Sequence, residues 1–135
     1  MTRTIVNTLA AGLVATVVGA SAPALAGGSI SFNYLPQNAQ DAQMLQTGLA
    51  FYGLYNHMQS GGSIQQYGFN NLAGLGQHGA GNFGVIHQEG NSHQATLNQY
   101  GNNNSYGIFQ FGQNTNANVG QYGNGQSGAT FQFGW

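Results

Sequence analysis

From Gln66 to Gln132 every eleventh residue is glutamine, and each glutamine has a glycine two places later. The glutamines are Gln66, Gln77, Gln88, Gln99, Gln110, Gln121 and Gln132; the glycines are Gly68, Gly79, Gly90, Gly101, Gly112, Gly123 and Gly134. Seven matches in phase define a repeat, which constrains the fold before any other signal is read. Short stacked units contact only their neighbours, so the pattern itself sets no stopping point. Such a chain is better suited to become part of something long than to enclose an active site.

The rest of each unit falls into columns. Four places before the glutamine stand Gly62, Ala73, Gly84, Ala95, Tyr106, Ala117 and Gly128, small except at Tyr106. Two places later come Ile64, Leu75, Ile86, Leu97, Ile108, Val119 and Thr130, aliphatic except at the last. Small, aliphatic, Gln and Gly at a spacing of two share one face of a β-strand. The other face carries Tyr67, His78, Glu89, Tyr100, Phe111, Tyr122 and Phe133, expected to point outward and stack across strands. Connections such as Phe69-Asn70-Asn71-Leu72 are rich in residues that tolerate turn conformations. The columns predict strands near 62–68, 73–79, 84–90, 95–101, 106–112, 117–123 and 128–134.

One strand and turn cannot bury its apolar face alone, whereas two facing strands can share a core. Alanine takes the small position only in Ala73, Ala95 and Ala117, every second unit, so the period is 22 residues. The predicted fold is therefore an all-β, two-sheet parallel β-solenoid. Its first, third, fifth and seventh strands form one sheet and the others the second, rising about 4.8 Å per coil. Tyr106, in a small column, is expected to make its coil bulge or shift. With the sequence ending at Trp135, nothing after the seventh strand is expected to cover it, and both ends are expected to be open.

At that spacing each amide can donate to the copy above and accept from the copy below, so the glutamines predict one ladder per sheet. Like charges stacked at the same distance repel. The composition fits: Arg3, Asp41 and Glu89 are the only charged side chains, against a norm of about 25 % in globular proteins. No Lys or Arg follows Arg3, so a nucleic-acid partner is not expected. Without cysteine, neither disulfides nor thiol chemistry is available. His57, His78, His87 and His93 lack the local spacing of a zinc site. No recurring nucleophile–base pair accompanies Glu89, so no catalytic residue, cofactor or small-molecule substrate is expected.

Arg3, an apolar run from about Leu9 to Ala20, and Ala24-Leu25-Ala26 compose a secretory signal peptide, predicted at 1–26 with cleavage after Ala26. Residues 27–59 form a leader outside the strict repeat, flexible or partly helical. Ala39, Ala42, Leu45, Leu49 and Tyr52 follow Asn38 at roughly helical spacing. The repeat domain is placed at 60–135.

Together the columns resemble the repeat of the curlins, subunits of bacterial extracellular amyloid fibres, which reads S-x5-Q-x-G with a following N-x-A-x3-Q. Ser60, Gln66, Gly68, Asn71, Ala73 and Gln77 match a whole unit. The next units read Asn82, Gln88, Gly90, His93, Ala95, Gln99 and then Asn104, Gln110, Gly112, Thr115, Ala117, Gln121; Gln126, Gln132 and Gly134 begin another. The departures are Asn for Ser in later units, and His93 and Thr115 for the motif Asn. The resemblance implies secretion through the periplasm of a Gram-negative bacterium, export by an outer-membrane pore, self-polymerisation at the cell surface, a second curlin as partner, and a role in adhesion and biofilm. Two other readings stand beside a structural subunit: a minor curlin that nucleates another curlin, and a monomeric secreted solenoid that binds a ligand.

Overall fold

The computed structural model describes residues 27–55 and 61–135. The predicted signal peptide with Ala26, and also His57 and Ser60, lie outside the described residues. The described part begins with strand β1, Ser29–Tyr34, followed by helix α1, Ala39–Tyr55. The repeat strands are β2 Gly62–Tyr67, β3 Leu72–His78, β4 Phe83–Asn91, β5 Gln94–Tyr100, β6 Ser105–Gln113, β7 Asn116–Tyr122 and β8 Ser127–Gly134.

These strands wind into a two-sheet parallel β-solenoid of roughly three turns, as the columns predicted. One sheet runs β1-β8-β6-β4-β2 and the other β3-β5-β7. Within each, like columns pair. Ile86 lies between Ile64 and Ile108, Leu97 between Leu75 and Val119, and Gln99 between Gln77 and Gln121. Each residue thus pairs with the one 22 positions away, and this register carries the repeat through space.

The turns recur every eleven residues, one after each strand from β2 to β7. Asn70, Asn103 and Asn114 have φ of 58°, 58° and 55°, Ser92 has 59°, and Gly81 and Gly125 have 70° and 68°. This is the left-handed conformation that Gly and Asn adopt most readily. The glycine column has a separate cause. A Cβ on Gly68, Gly79, Gly90, Gly101 or Gly112 would collide with the carbonyl oxygen of the glycine one coil further on. A column of glycines therefore lets adjacent coils approach to sheet spacing.

Between the sheets Ile86, Leu97 and Ile108 are fully buried, flanked by Ala95 and Ala117. Tyr106 does not bulge, contrary to expectation. Its strand keeps continuous register with β4 and β8, and its ring lies against Gly128, where a Cβ would overlap it. The large residue fits because the next coil has none in that column. Its hydroxyl reaches Thr130 Oγ1 at 2.9 Å.

The leader adds what the columns did not contain. Asn38 caps α1, as Asn commonly does. Its Oδ1 accepts from the Asp41 N–H at 2.8 Å, and its Nδ2 donates to the Asp41 carboxylate at 2.9 Å. The helix lies on the outer face of the β8-β6-β4-β2 sheet. Its Leu49 is buried against Gly107, and Gln46 Nε2 donates to Ser127 Oγ at 2.8 Å. No helix of the described residues is long and apolar enough to cross a membrane.

The leader also overturns the expectation of two open ends. Strand β1 pairs antiparallel with β8, from Ser29 on Gly134 to Tyr34 on Ala129, and Gly28 and Trp135 exchange both backbone hydrogen bonds at 2.9 Å. The cover on the last strand comes from before the first repeat strand. Alternation in Ser29-Ile30-Ser31-Phe32-Asn33-Tyr34 is the available signal, since Ile30, Phe32 and Tyr34 share one face of the strand.

Candidate functional site: the amide ladders and the ends of the stack

The glutamines form two continuous chains of hydrogen bonds. In one sheet Gln66 Nε2 donates to Gln88 Oε1 at 2.7 Å, Gln88 to Gln110 at 2.8 Å, and Gln110 to Gln132 at 2.8 Å. In the other, Gln77 donates to Gln99 at 2.8 Å and Gln99 to Gln121 at 2.7 Å. Gln88, Gln99 and Gln110 are fully buried, so each of these amides depends on its neighbours for its hydrogen bonds. Among the described residues no buried side-chain polar atom lacks a partner.

The second amide proton does something the sequence did not reveal. It crosses to the backbone of the facing sheet: Gln77 to Gly61 O at 2.6 Å, Gln88 to Leu72 O at 3.0 Å, Gln99 to Phe83 O at 3.1 Å, Gln110 to Gln94 O at 2.8 Å and Gln132 to Asn116 O at 2.7 Å. A carbonyl only accepts, so this contact fixes which end of the amide is nitrogen. Every ladder bond consequently points the same way. Gln66 and Gln77 present acceptors at the β2/β3 end, and Gln121 presents a donor at the other. The ladders give the stack a polarity.

A second column secures the turns. Asn71, Asn82 and Asn104 each donate to two backbone carbonyls, one within their own turn and one in the coil above, over 2.8–3.4 Å. Their Oδ1 atoms accept from the backbone N–H of His93, Asn104 and Gln126 at 3.0 Å. His93 and Thr115, the departures from the motif Asn, adopt the same task together. His93 Nδ1 meets Thr115 Oγ1 at 2.8 Å and its Nε2 reaches Glu89 O at 3.2 Å.

Outside, the aromatic columns stack. His78, Tyr100 and Tyr122 lie nearly parallel with centroids 4.8 and 5.1 Å apart, and Phe111 lies over Phe133 at 5.3 Å. A further outer column, Phe109 over Phe131 at 5.0 Å, lies outside the expected set. Helix α1 joins this face through Tyr52, edge-on to Phe109 and hydrogen-bonded to His87 Nδ1 at 2.6 Å. Burial, then the neighbouring Tyr67 and Glu89, push the Tyr52 hydroxyl above its ordinary pKa of 10.0, because each disfavours the phenolate. His87 Nε2 lies 3.7 Å from the Glu89 carboxylate. Among the described residues no three His, Cys, Asp or Glu side chains converge as a metal cluster.

The ends are where the stack meets anything else. No described strand pairs with the outer edges of β2, β3 or β7. The β8 edge is occupied by β1, and two side-chain bonds tie the pair. Thr130 Oγ1 donates to Asn33 Oδ1 at 2.7 Å, and Gln132 Nε2 lies 3.4 Å from Ser31 Oγ. Thr130 is the one break in the aliphatic column, and its hydroxyl links Tyr106 to β1. The two irregular residues, Tyr106 and Thr130, in successive coils, thus form one arrangement with the leader.

Fold and ladders together define the class: a parallel β-solenoid of 22-residue coils held by intracoil cores and intercoil amides. Within that class the chain carries the curlin-associated repeat, whose family model matches twice, over residues 72–101 and 79–112. The matched span runs from β3 through nearly all of β6. No curated protein and no solved structure matches it.

Proposed function

We propose that this chain is the structural subunit of an extracellular functional amyloid fibre, secreted through the periplasm and polymerised at the cell surface for adhesion and biofilm. The observation that carries the reading is the polarity of the stack. One end offers amide acceptors on bare strand edges and the other an amide donor on a bare edge. Contact between unlike ends does not close on itself, so it propagates as a filament. Unpaired strand edges supply the backbone groups for that contact. The matched curlin repeat supports the same conclusion. In this reading the glutamine ladders are the fibre core, the partner is first another copy of the chain, and a second curlin and an outer-membrane pore complete the system.

The experiment is assembly of the purified chain starting at Gly27. Thioflavin-positive fibres with a meridional reflection near about 4.8 Å are expected. A chain that stays monomeric in the supernatant throughout would sink the reading. The monomeric binding solenoid is favoured by one observation, the β1 cover on β8, since a solitary solenoid needs closed ends. The bare edges of β2, β3 and β7 count against it.

A further inference from the structure

The β7/β8 end consists of two unequal halves. On the β8 side β1 is paired along its length, whereas no described strand pairs with the outer edge of β7. Beside that edge lies a cleft of about 820 Å³, bordered by Asn116 to Gln121 and by Ser31 and Asn33 of β1.

Strand β1 covers its half without continuing the stack. Its register sets Asn33 opposite Thr130 and Ser31 opposite Gln132. Where a coil needs an aliphatic residue it offers an amide, and where the ladder needs glutamine it offers serine. Ladder bonds such as Gln66 to Gln88 and Gln88 to Gln110 measure 2.7 and 2.8 Å. The contact from Gln132 to Ser31 is 3.4 Å, near the limit for a hydrogen bond. A new coil laid on β1 would have no apolar inward face to pack against, because Ile30, Phe32 and Tyr34 lie on the opposite face, in register with Phe133, Phe131 and Ala129. Growth at β8 therefore requires that β1 leave.

Strand β7 keeps every column a coil needs. Ala117, Val119 and Gln121 face inward, and Gln121 Nε2 reaches Ser105 O at a long 3.4 Å. At Gly101, one coil earlier, a Cβ would strike the next glycine carbonyl. At Gly123 the nearest atom would be Gln126 Nε2, 3.4 Å away. The φ of 118° already accounts for glycine at 123, so the point is the open space above it, where the next coil's carbonyl would sit. Strand β2 has the matching columns in Gly62, Ile64 and Gln66, and no described strand pairs with its outer edge.

We propose that β7 is the docking edge for β2 of a second copy of this chain, and that β3 of the same copy then displaces β1 from β8. The proposal rests on the assembly reading above and specifies its order. Gly62, Ile64 and Gln66 of the incoming copy settle in parallel on Ala117, Val119 and Gln121, and the Gln121 amide gains its ladder partner. Ala73, Leu75 and Gln77 of that copy follow over Gly128, Thr130 and Gln132, replacing Ser31 by an amide. The bare β7 edge is the foothold, and β1 is a cap that only a partner already held there removes.

Two variants of the chain test the two steps, each added to fibre seeds of the unaltered protein. Asn33→Cys with Thr130→Cys introduces the chain's only thiols across a directly opposed pair, so oxidation at low concentration locks the cap. The oxidised form should elongate seeds at least about tenfold more slowly, with the rate returning on reduction. Gly123→Ala should keep the circular dichroism of the soluble fold yet slow elongation by about tenfold or more, because its methyl occupies the space of the incoming carbonyl. Equal rates for oxidised and reduced forms overturn displacement of β1, and thiols that fail to pair overturn the cap itself. An undiminished rate for Gly123→Ala overturns docking on β7. If the unaltered chain forms no fibres, the assembly reading falls, and this proposal with it; if it does, the variants judge the proposal alone.

Discussion

Ile64 and Thr130 occupy the same column at opposite ends of one sheet. Ile64 is 40 % exposed although it has the residue type the core wants, and Thr130 is 3 % exposed although it does not. Between them Ile86 and Ile108 are fully buried. Burial here is a property of having a coil on both sides, not of the side chain. At the β2/β3 end no described strand lies below, so an isoleucine stands in water. At the β8 end a strand from the leader covers the column, and a hydroxyl that bonds to it is retained. The repeat makes the middle of the molecule, and the ends differ because one has received a non-repeat element.

The largest test of that contrast lies in the glycine column. Gly101→Ala forces a methyl into the carbonyl of Gly123 and should cost about 4 kcal/mol. Gly123→Ala at the bare edge should cost only the backbone strain, about 1–2 kcal/mol. Urea unfolding of the soluble chain measures both, and equal costs would mean that β7 is not a free edge. Next come the ladders. Gln110→Ala removes the acceptor of the buried Gln88 amide and the donor to Gln132 Oε1 and should cost about 3 kcal/mol, against about 1 kcal/mol or less for Gln66→Ala. A Gln66→Ala loss as large as that of Gln110→Ala would show that the first coil is covered too.

Smaller effects separate the leader from the stack. Leu49→Ala removes the buried contact over Gly107 and should weaken helix docking by about 2 kcal/mol. Amide exchange should then rise across residues 39–55 while protection in β4 and β6 holds; faster exchange in both would make helix and stack one cooperative unit. The smallest is a pH effect. The Tyr52 hydroxyl ionises above 10.0 when folded. Its contribution is therefore complete below the unfolded value and lost as pH rises through the raised one. Tyrosinate absorbance and helix signal should change together there, and Tyr52→Phe should abolish the helix component.

Much of this fold is legible in one column. A glutamine every eleventh residue, with alternating Ile and Leu before it, places the strands within a residue or so and implies the two sheets and the pairing of like with like. The irregular residues are the ones that local rules misjudge. Tyr106 belongs to a small column, but Gly128 above it leaves room, a relation between residues 22 apart in the register that no local rule reports. His93 and Thr115 look like departures until their side chains meet across coils. The crossing bonds of the glutamines are invisible in sequence because they join a side chain to a backbone sixteen residues earlier, in the other sheet.

The sequence by itself determined the unit, its period and the inward amide of every coil, because a residue repeated at fixed spacing must meet its own copy when the units stack. Only the tertiary structure decided how the stack ends. Whether Ser29–Tyr34 pairs with β8, far away in the chain, depends on a backbone edge and on Thr130 and Asn33 meeting in space. A repeat cannot encode what happens where it stops.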